Sequence, residues 1–163
     1  MADCQNTTIL IVDDREEGLV TLEAALSELP CQLIRARSGQ EALRYVLEQD
    51  FAVIVLDVQM PEMDGFTTAE YIRMRAKSRH IPIIFVTAIN KDEHYVFRGY
   101  ESGAVDYIFK PFDAYILKSK IKVFLDLHLK NLEIKRQAAL LQETERDIRS
   151  RELVQRDLDS LQR

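Results

Sequence analysis

Short apolar runs recur along the first 112 residues, and they alternate with segments whose apolar residues lie three and four positions apart. A run that is apolar on both faces is typical of a parallel strand covered by helices on both sides. We therefore predict five strands, at residues 9–12, 32–34, 53–56, 83–86 and 105–109.

The segments between these strands have the spacing and start signals of amphipathic helices. One stripe consists of Leu19, Leu22, Ala25, Leu26 and Leu29, and another of Ala42, Leu43, Val46 and Leu47. Ser38 with Glu41, and Asn90 with Glu93, have the spacing of a helix-capping box. Strands that alternate with helices imply right-handed crossovers and a sheet covered on both faces. The predicted fold class is a three-layer α/β domain.

The pattern changes after Phe112, because the rest of the chain contains neither Gly nor Pro. A helix that begins near Asp113 and runs to the end would contain about 50 residues and be roughly 75 Å long. Its apolar stripe steps by three and four residues alternately, which is a heptad seam. The seam consists of Phe124, Leu127, Asn131, Ile134, Ala138, Leu141, Glu145 and Ile148, and a second phase consists of Val154, Leu158 and Leu161.

This seam would be exposed to water on a single helix. A parallel two-stranded coiled coil would bury it, so we expect a homodimer through the C-terminal helix. The alternative is a helix that packs on a domain absent from this chain.

Composition and charge exclude several classes of protein. Hydrophobic residues make up 47% of the chain, and no apolar run approaches the roughly 18 to 20 residues of a membrane span. The net charge is −7 over residues 1–112 and +2 over residues 113–163, so neither part has the basic face of a nucleic-acid binder. Cys4 and Cys31 form no metal-binding spacing, and no secretory signal is visible. We expect a cytoplasmic protein that binds neither nucleic acid nor membrane.

Polar side chains follow the predicted strands at their carboxyl ends. Asp13 and Asp14 follow the first strand, Asp57 the third, Thr87 the fourth and Lys110 the fifth. The carboxyl ends of parallel strands are where open α/β sheets place their chemistry. Two carboxylates about 4 Å apart repel by roughly 1 to 4 kcal/mol, and a hard cation such as Mg²⁺ removes that repulsion.

These residue types suit the formation of an aspartyl phosphate. A carboxylate can attack phosphorus, and the reaction needs neutralisation of the phosphoryl oxygens more than it needs a base. Asp57 is the best nucleophile, because it stands alone at the end of a central strand, whereas the pair Asp13 and Asp14 suits a metal. Lys110 and the Thr87 hydroxyl supply a charge and a hydrogen-bond donor.

Four motifs together resemble the receiver domain of two-component response regulators. They are IVDD (11–14), LDVQMPEMDG (56–65), VTA (86–88) and DYIFKPF (106–112). The resemblance implies a flavodoxin-like, doubly wound sheet with strand order 2-1-3-4-5. It covers residues 7–125, and residues 126–163 would form a coiled-coil dimerisation or linker helix continuous with the last receiver helix.

The resemblance also implies a role for each residue of the pocket. Asp57 would accept a phosphoryl group from a phosphohistidine of a histidine kinase or phosphotransfer protein. Asp14, Asp57 and the Gln59 backbone carbonyl would contact Mg²⁺, for which Mn²⁺ could substitute, and Asp13 would act through water.

The remaining motif residues would bind the phosphoryl group and transmit the signal. Thr87, Lys110 and the Ala88 backbone would hold the phosphoryl oxygens, and the Lys110–Pro111 peptide would be cis. Our hypothesis is that Thr87 moves toward the phosphoryl group and Tyr107 turns inward. This change would reshape the surface of the fourth helix, the fifth strand and the fifth helix, and with it the heptad seam.

Two rival functions use the same residues. An Mg²⁺-dependent phosphatase with an aspartate nucleophile would carry an acid two residues after Asp57, where this chain has Gln59. A dimerisation module independent of phosphorylation would make no use of the acidic pocket. The chain contains no recognisable effector, so the output is either the coiled coil itself or a further domain, such as a diguanylate cyclase, a histidine kinase or a serine phosphatase.

Overall fold

From residue 7 to residue 88, strands and helices alternate as the hydrophobic pattern predicts. A computed structural model describes residues 7–88 and 106–162. Its elements are β1 (Thr8–Val12), α1 (Glu16–Leu26), β2 (Gln32–Ala36), α2 (Gly39–Glu48), β3 (Val53–Leu56), α3 (Gly65–Met74), β4 (Ile83–Thr87), β5 (Asp106–Phe109) and α4 (Ala114–Leu161). The predicted fourth helix, with its capping pair Asn90 and Glu93, lies outside the described residues.

The five strands form one parallel sheet in the order β2-β1-β3-β4-β5, which confirms the predicted fold class and strand order. β1 and β3 are neighbours at its centre, and Val12 pairs with Leu56 at their carboxyl ends. At the edge of the sheet, Thr87 pairs with Phe109. The residues that follow these pairs therefore emerge along the same rim of the sheet.

Alternate side chains of the central strands serve the two faces of the sheet. On one face Leu10 and Leu56 pack with α2 and α3, and on the other Ile11 and Val55 pack with α1 and the first turns of α4. All five residues of β1 and all four of β3 are buried. Since complete burial of one Ile, Leu or Val contributes about 1.5 to 3 kcal/mol, these strands anchor the fold and hold the loops at their ends.

Three helices begin at the caps that the local sequence provides. The Ser38 hydroxyl accepts a hydrogen bond from the Glu41 N–H (3.1 Å), and an Asp64 carboxylate oxygen accepts one from the Thr67 N–H (2.8 Å). Asp113 likewise accepts from the Tyr115 N–H at the start of α4. The reciprocal half of the capping box differs from the motif, because Glu41 accepts from the N–H of Arg37 rather than from that of Ser38.

The C-terminal helix α4 has 48 residues and begins one residue after the predicted start at Asp113. The chain divides into two compact units, Met1–Asp126 and Leu127–Arg163. In the first, Leu117, Ile121 and Leu125 of α4 are buried. In the second, every residue from 130 to 162 is exposed. Within the described part of the chain, no helix has both the length and the apolar character that would let it cross a membrane.

Candidate functional site

Backbone hydrogen bonds hold the strand-end residues in register. The Asp57 N–H donates to the Val12 carbonyl (3.0 Å), and the Asp13 N–H donates to the Ala36 carbonyl (3.1 Å). The Lys110 N–H donates to the Thr87 carbonyl (2.8 Å) in the same way. The parallel ladders thus continue one residue past the strands, so the polar side chains are attached to a rigid rim.

Three carboxylates converge at the centre of this rim. Asp13, Asp14 and Asp57 each offer one oxygen, and these three atoms lie within 4.8 Å of one another. Asp13 is only 1% exposed and Asp57 8%, whereas Asp14 is partly exposed. Hard divalent cations bind such sets of carboxylate oxygens, and the open side of Asp14 leaves room for water or a phosphate oxygen. The donor set therefore fits a cation of this class.

Lys110 supplies the positive charge beside these carboxylates. Its Nζ donates to Asp13 Oδ2 at 3.0 Å and lies 3.8 Å from Asp57 Oδ2. The Lys110–Pro111 peptide bond is cis. The cluster contains three carboxylates and Lys110 supplies one positive charge, so an excess of negative charge remains that a cation would offset.

Burial raises the pKa of Asp57 from 3.8 to about 6. The Lys110 ammonium opposes this rise, the negative charges of Asp13 and Asp14 add to it, and the N–H of Gln59, which donates to Asp57 Oδ1 (3.3 Å), lowers the pKa. With a pKa about one unit below physiological pH, most Asp57 carboxyl groups are ionised near pH 7. Asp57 is thus available as a nucleophile but is poorly solvated.

Two further contacts fix Asp13, and no sequence motif predicts either of them. The Arg15 N–H donates to Asp13 Oδ1 (2.9 Å) at the start of α1. Gly18, one turn later, lies so close that a Cβ there would be 1.9 Å from Asp13 Oδ2. Gly18 and Lys110 also line a cavity of about 300 Å³ beside the carboxylates. No sequence motif marks Gly18, because its role depends on a side chain from another element.

The loop after Asp57 turns the chain away from the pocket. The Gly65 N–H donates to the Val58 carbonyl (2.8 Å), and a Cβ on Gly65 would lie 2.3 Å from the Asp57 carbonyl oxygen. Only glycine allows α3 to begin this close to the backbone of Asp57. Glu62 adopts a left-handed conformation with φ 67°, a second feature that no sequence motif predicts.

The other predicted pocket residues lie on β4 and β5. Thr87 is fully buried at the end of β4, and Ala88 follows it in an exposed position. Tyr107 is 9% exposed, and its ring centroid lies 5.3 Å from that of Phe85 and 5.6 Å from that of Phe109. The Tyr107 ring is therefore packed inward on the sheet in this structure.

The predicted dimer seam lies on α4, and most of its residues belong to the second unit. Phe124 is partly buried against the core of the first unit. Leu127, Ile134, Leu141 and Ile148 are between 49% and 66% exposed, and Asn131 and Ala138 are also exposed.

Comparison with known protein families gives one match that covers most of the chain. The family profile described as response regulator receiver domain matches residues 9–122. This range includes every pocket residue named above and ends within the first unit.

Two curated relatives extend this similarity. The chain is 36% identical over 125 residues to a probable cyclic di-GMP phosphodiesterase of Vibrio cholerae. The matched region is 77% of this chain and 28% of the relative. It is 38% identical over 117 residues to the transcriptional regulatory protein SrrA of Staphylococcus aureus. Here the matched region is 72% of this chain and 47% of the relative. The chain thus spans less than half the length of either relative.

Solved structures agree with the fold. The signal receiver domain of a signal transduction histidine kinase from Syntrophus aciditrophicus has a TM-score of 0.68 at 35% identity, over 74% of this chain and 90% of that one. The receiver domain of a sensor histidine kinase from Pseudomonas aeruginosa has a TM-score of 0.68 at 27% identity, over 74% and 98% of the two chains. The latter structure contains a magnesium ion coordinated in its active site cleft.

Proposed function

Because the chain belongs to the response regulator receiver domain family, we propose that it is a phosphorylation-dependent switch with Asp57 as its phosphoryl acceptor. The phosphoryl group comes from a phosphohistidine on a histidine kinase or phosphotransfer protein. The observation that carries this proposal is the convergence of Asp13, Asp14 and Asp57 within 4.8 Å, with the Lys110 ammonium beside them.

Phosphoryl transfer to Asp57 breaks one bond and forms one. A carboxylate oxygen of Asp57 forms the new P–O bond, the P–N bond to the donor imidazole breaks, and the released nitrogen becomes protonated from solvent. The reaction needs the ionised carboxylate. Because the pKa of Asp57 is about 6, this form predominates at higher pH. Burial of Asp57 favours the transfer, because a poorly solvated carboxylate gives up little hydration when it attacks.

The charges around Asp57 suit the transferred group. We propose that Mg²⁺, or Mn²⁺ in its place, binds Asp14, Asp57 and the Gln59 backbone carbonyl, and that Asp13 acts through water. A cation held by these residues would neutralise phosphoryl oxygens and offset the repulsion between an anionic donor and the acidic pocket. Lys110, the Thr87 hydroxyl and the Ala88 backbone N–H hold the remaining oxygens.

The switch acts through the surface around Tyr107 on a dimeric coiled coil. Phosphorylation adds about −1.5 to −2 charges near pH 7, which attract the Thr87 hydroxyl and favour the inward position of the Tyr107 ring. The seam that begins at Phe124 and Leu127 joins two copies of the chain and transmits the state of Asp57 to the output. As part of a histidine-kinase pathway, the protein acts in the cytoplasm.

Acetyl phosphate as the phosphoryl donor tests the acceptor directly. Incubation with acetyl phosphate and Mg²⁺ is expected to modify Asp57, and mass spectrometry of peptides after borohydride trapping identifies the site. Asp57→Asn is the matched control, since it preserves shape and removes the nucleophile. Modification at another residue, or undiminished modification of Asp57→Asn, would contradict the proposal.

The same preparation separates the rival functions. Repeated hydrolysis of p-nitrophenyl phosphate with turnover would favour the phosphatase. A protein that dimerises but never acquires phosphate at Asp57 would favour a dimerisation module.

A further inference from the structure

The heptad seam of α4 has one strong layer and one weak layer. With Leu127 assigned to position d, the d layer consists of Leu127, Ile134, Leu141 and Ile148, which are between 49% and 66% exposed. The a layer begins with Phe124, which is partly buried against the core of the first unit, and continues with Asn131, Ala138 and Glu145. The large apolar side chains thus lie almost entirely in one layer, whereas stable coiled coils place them in both.

A second copy of the chain in parallel, in-register pairing is the partner that these positions fit. Parallel pairing places Asn131 opposite Asn131 of the second copy, where the two side-chain amides can bond to each other. Antiparallel pairing would place each Asn131 opposite an apolar d residue, and a buried amide without a partner is costly. Asn131 therefore favours two identical helices that run in the same direction.

The edges of the seam repel in such a dimer. Positions e and g carry His128, Lys130, Lys135, Gln137, Gln142, Thr144, Arg149 and Arg151, with no acidic residue among them. A g residue lies beside the e residue five positions later in the other helix. Lys130 therefore lies beside Lys135 of the second copy, and symmetry repeats this pair on the other edge. Glu145 in turn faces Glu145 of the second copy.

We propose that these like charges hold the α4 homodimer close to the balance between monomer and dimer. This inference rests on the dimeric coiled coil of the proposed function and adds how that dimer is regulated. The apolar d layer favours association, and Lys130, Lys135 and Glu145 oppose it. To reverse a two-state equilibrium from 1:99 to 99:1, an effector must favour one state over the other by about 10⁴-fold in affinity. An equilibrium near balance shifts measurably with a much smaller preference. A seam of this composition can therefore respond to the state of Asp57.

Charge reversal of one member of the Lys130–Lys135 pair tests the pairing. In the full chain, Lys130→Glu alone replaces both Lys–Lys pairs by Glu–Lys pairs, and so does Lys135→Glu alone. Each single variant is expected to lower the dimer dissociation constant by roughly tenfold, because two repulsions become two attractions. The double variant recreates like-charge pairs, now Glu–Glu, and is expected to return toward the wild-type value. Sedimentation equilibrium measures all four proteins.

Arg136→Glu is the matched control. Arg136 lies at position f on the outer side of the same helix, where its guanidinium donates to Glu133, three residues before it, at 3.1 Å. The substitution makes the same change in net charge without touching the seam. It is expected to leave the dissociation constant within about twofold, as is usual for an exposed ion pair.

The outcomes separate this inference from the phosphoryl-acceptor role. Single variants that associate no more tightly than wild type, or a double variant as tight as the singles, overturn the parallel, like-charged seam. Each sample is also treated with acetyl phosphate. Modification of Asp57 in proteins that remain monomeric would overturn the seam alone. The expected series of dissociation constants in a protein without Asp57 modification would support the seam and overturn the acceptor role.

Discussion

The Asp13 carboxylate occupies the space that a side chain on Gly18 would need: a Cβ at Gly18 would lie 1.9 Å from Asp13 Oδ2 and 2.4 Å from Asp13 Cγ. In that position Asp13 accepts hydrogen bonds from the Arg15 N–H and from Lys110 Nζ. The absence of a side chain on α1 therefore determines where an acidic group of the pocket lies. Gly18 acts on the pocket by positioning Asp13.

Gly18→Ala is expected to weaken Mg²⁺ binding. The added methyl group displaces the Asp13 carboxylate and breaks its contact with Lys110 or with Arg15. Loss of such an outer contact typically costs about 10- to 100-fold in metal affinity, and we expect the lower end of that range. Titration calorimetry with Mg²⁺ measures the change.

Gly39→Ala is the control for this experiment. A Cβ at Gly39 would lie 2.3 Å from Thr68 Oγ1 and 2.8 Å from Met63 Sδ, so this substitution also disturbs a helix start. It should reduce stability and leave Mg²⁺ affinity unchanged. If Gly18→Ala bound Mg²⁺ as tightly as wild type while folded, the positioning role of Gly18 would be excluded.

Asp57→Asn is expected to stabilise the metal-free protein in a pH-dependent way. Burial, partly offset by Lys110, raises the pKa of Asp57 in the folded protein from 3.8 to about 6, so folding favours the neutral carboxyl. The wild type therefore loses stability as pH rises from about 4 to about 6, and the loss amounts to at most about 3 kcal/mol. Asparagine does not titrate and avoids this loss.

Urea denaturation in EDTA at several pH values measures this effect. The free energy of unfolding of Asp57→Asn should exceed that of wild type above pH 6, and the difference should shrink toward pH 4. A difference that stays constant across this range would show that ionisation of Asp57 does not destabilise the fold.

Sequence and structure agree where a pattern reports on burial or on the end of a strand. The run 53–56 predicts a buried central strand, and Asp57 must then emerge at the rim beside Asp13 because the two strands are parallel neighbours. Lys110 follows from the same reasoning at the end of β5. These predictions depend on periodicity and topology, which the sequence expresses directly.

Features that depend on contacts between elements could not be predicted in this way. Gly18 matters because of a side chain that belongs to the end of β1. The burial of Tyr107 depends on Phe85 and Phe109, which lie beside it only once β4 and β5 pair. The left-handed Glu62 follows from the closure of one loop, for which Gly or Asn would be the usual signal. The sequence offers no local sign of any of these three.

Mg²⁺ is expected to stabilise the wild type and not a variant that lacks Asp14, one of the proposed ligands. Because a ligand that binds only the folded state shifts the unfolding equilibrium, Mg²⁺ at 100 times its dissociation constant should add about 2.7 kcal/mol. Asp14→Asn removes a carboxylate from the cluster and should abolish most of that gain. Thermal unfolding with Mg²⁺ and with EDTA measures it.

Glu17→Gln provides the matched control for Asp14→Asn. Glu17 is an exposed acid in the first turn of α1 and is not a member of the carboxylate cluster. Its variant should keep the full Mg²⁺ response. An equal loss of response in both variants would mean that general negative charge, rather than coordination by Asp14, attracts the cation.

Glu62→Gly is expected to stabilise the fold, because Glu62 holds a backbone conformation that favours glycine. Its φ of 67° costs a residue with a Cβ about 1 to 2 kcal/mol, whereas glycine adopts this conformation freely. Glycine is also more disordered in the unfolded chain, which removes about 0.5 to 1 kcal/mol of the gain. A net increase of about 0.5 to 1 kcal/mol in the free energy of unfolding should remain. Glu62→Ala removes the same charge but keeps the Cβ, so its free energy of unfolding should not increase comparably. Equal stabilisation by both variants would assign the effect to charge instead of to backbone strain.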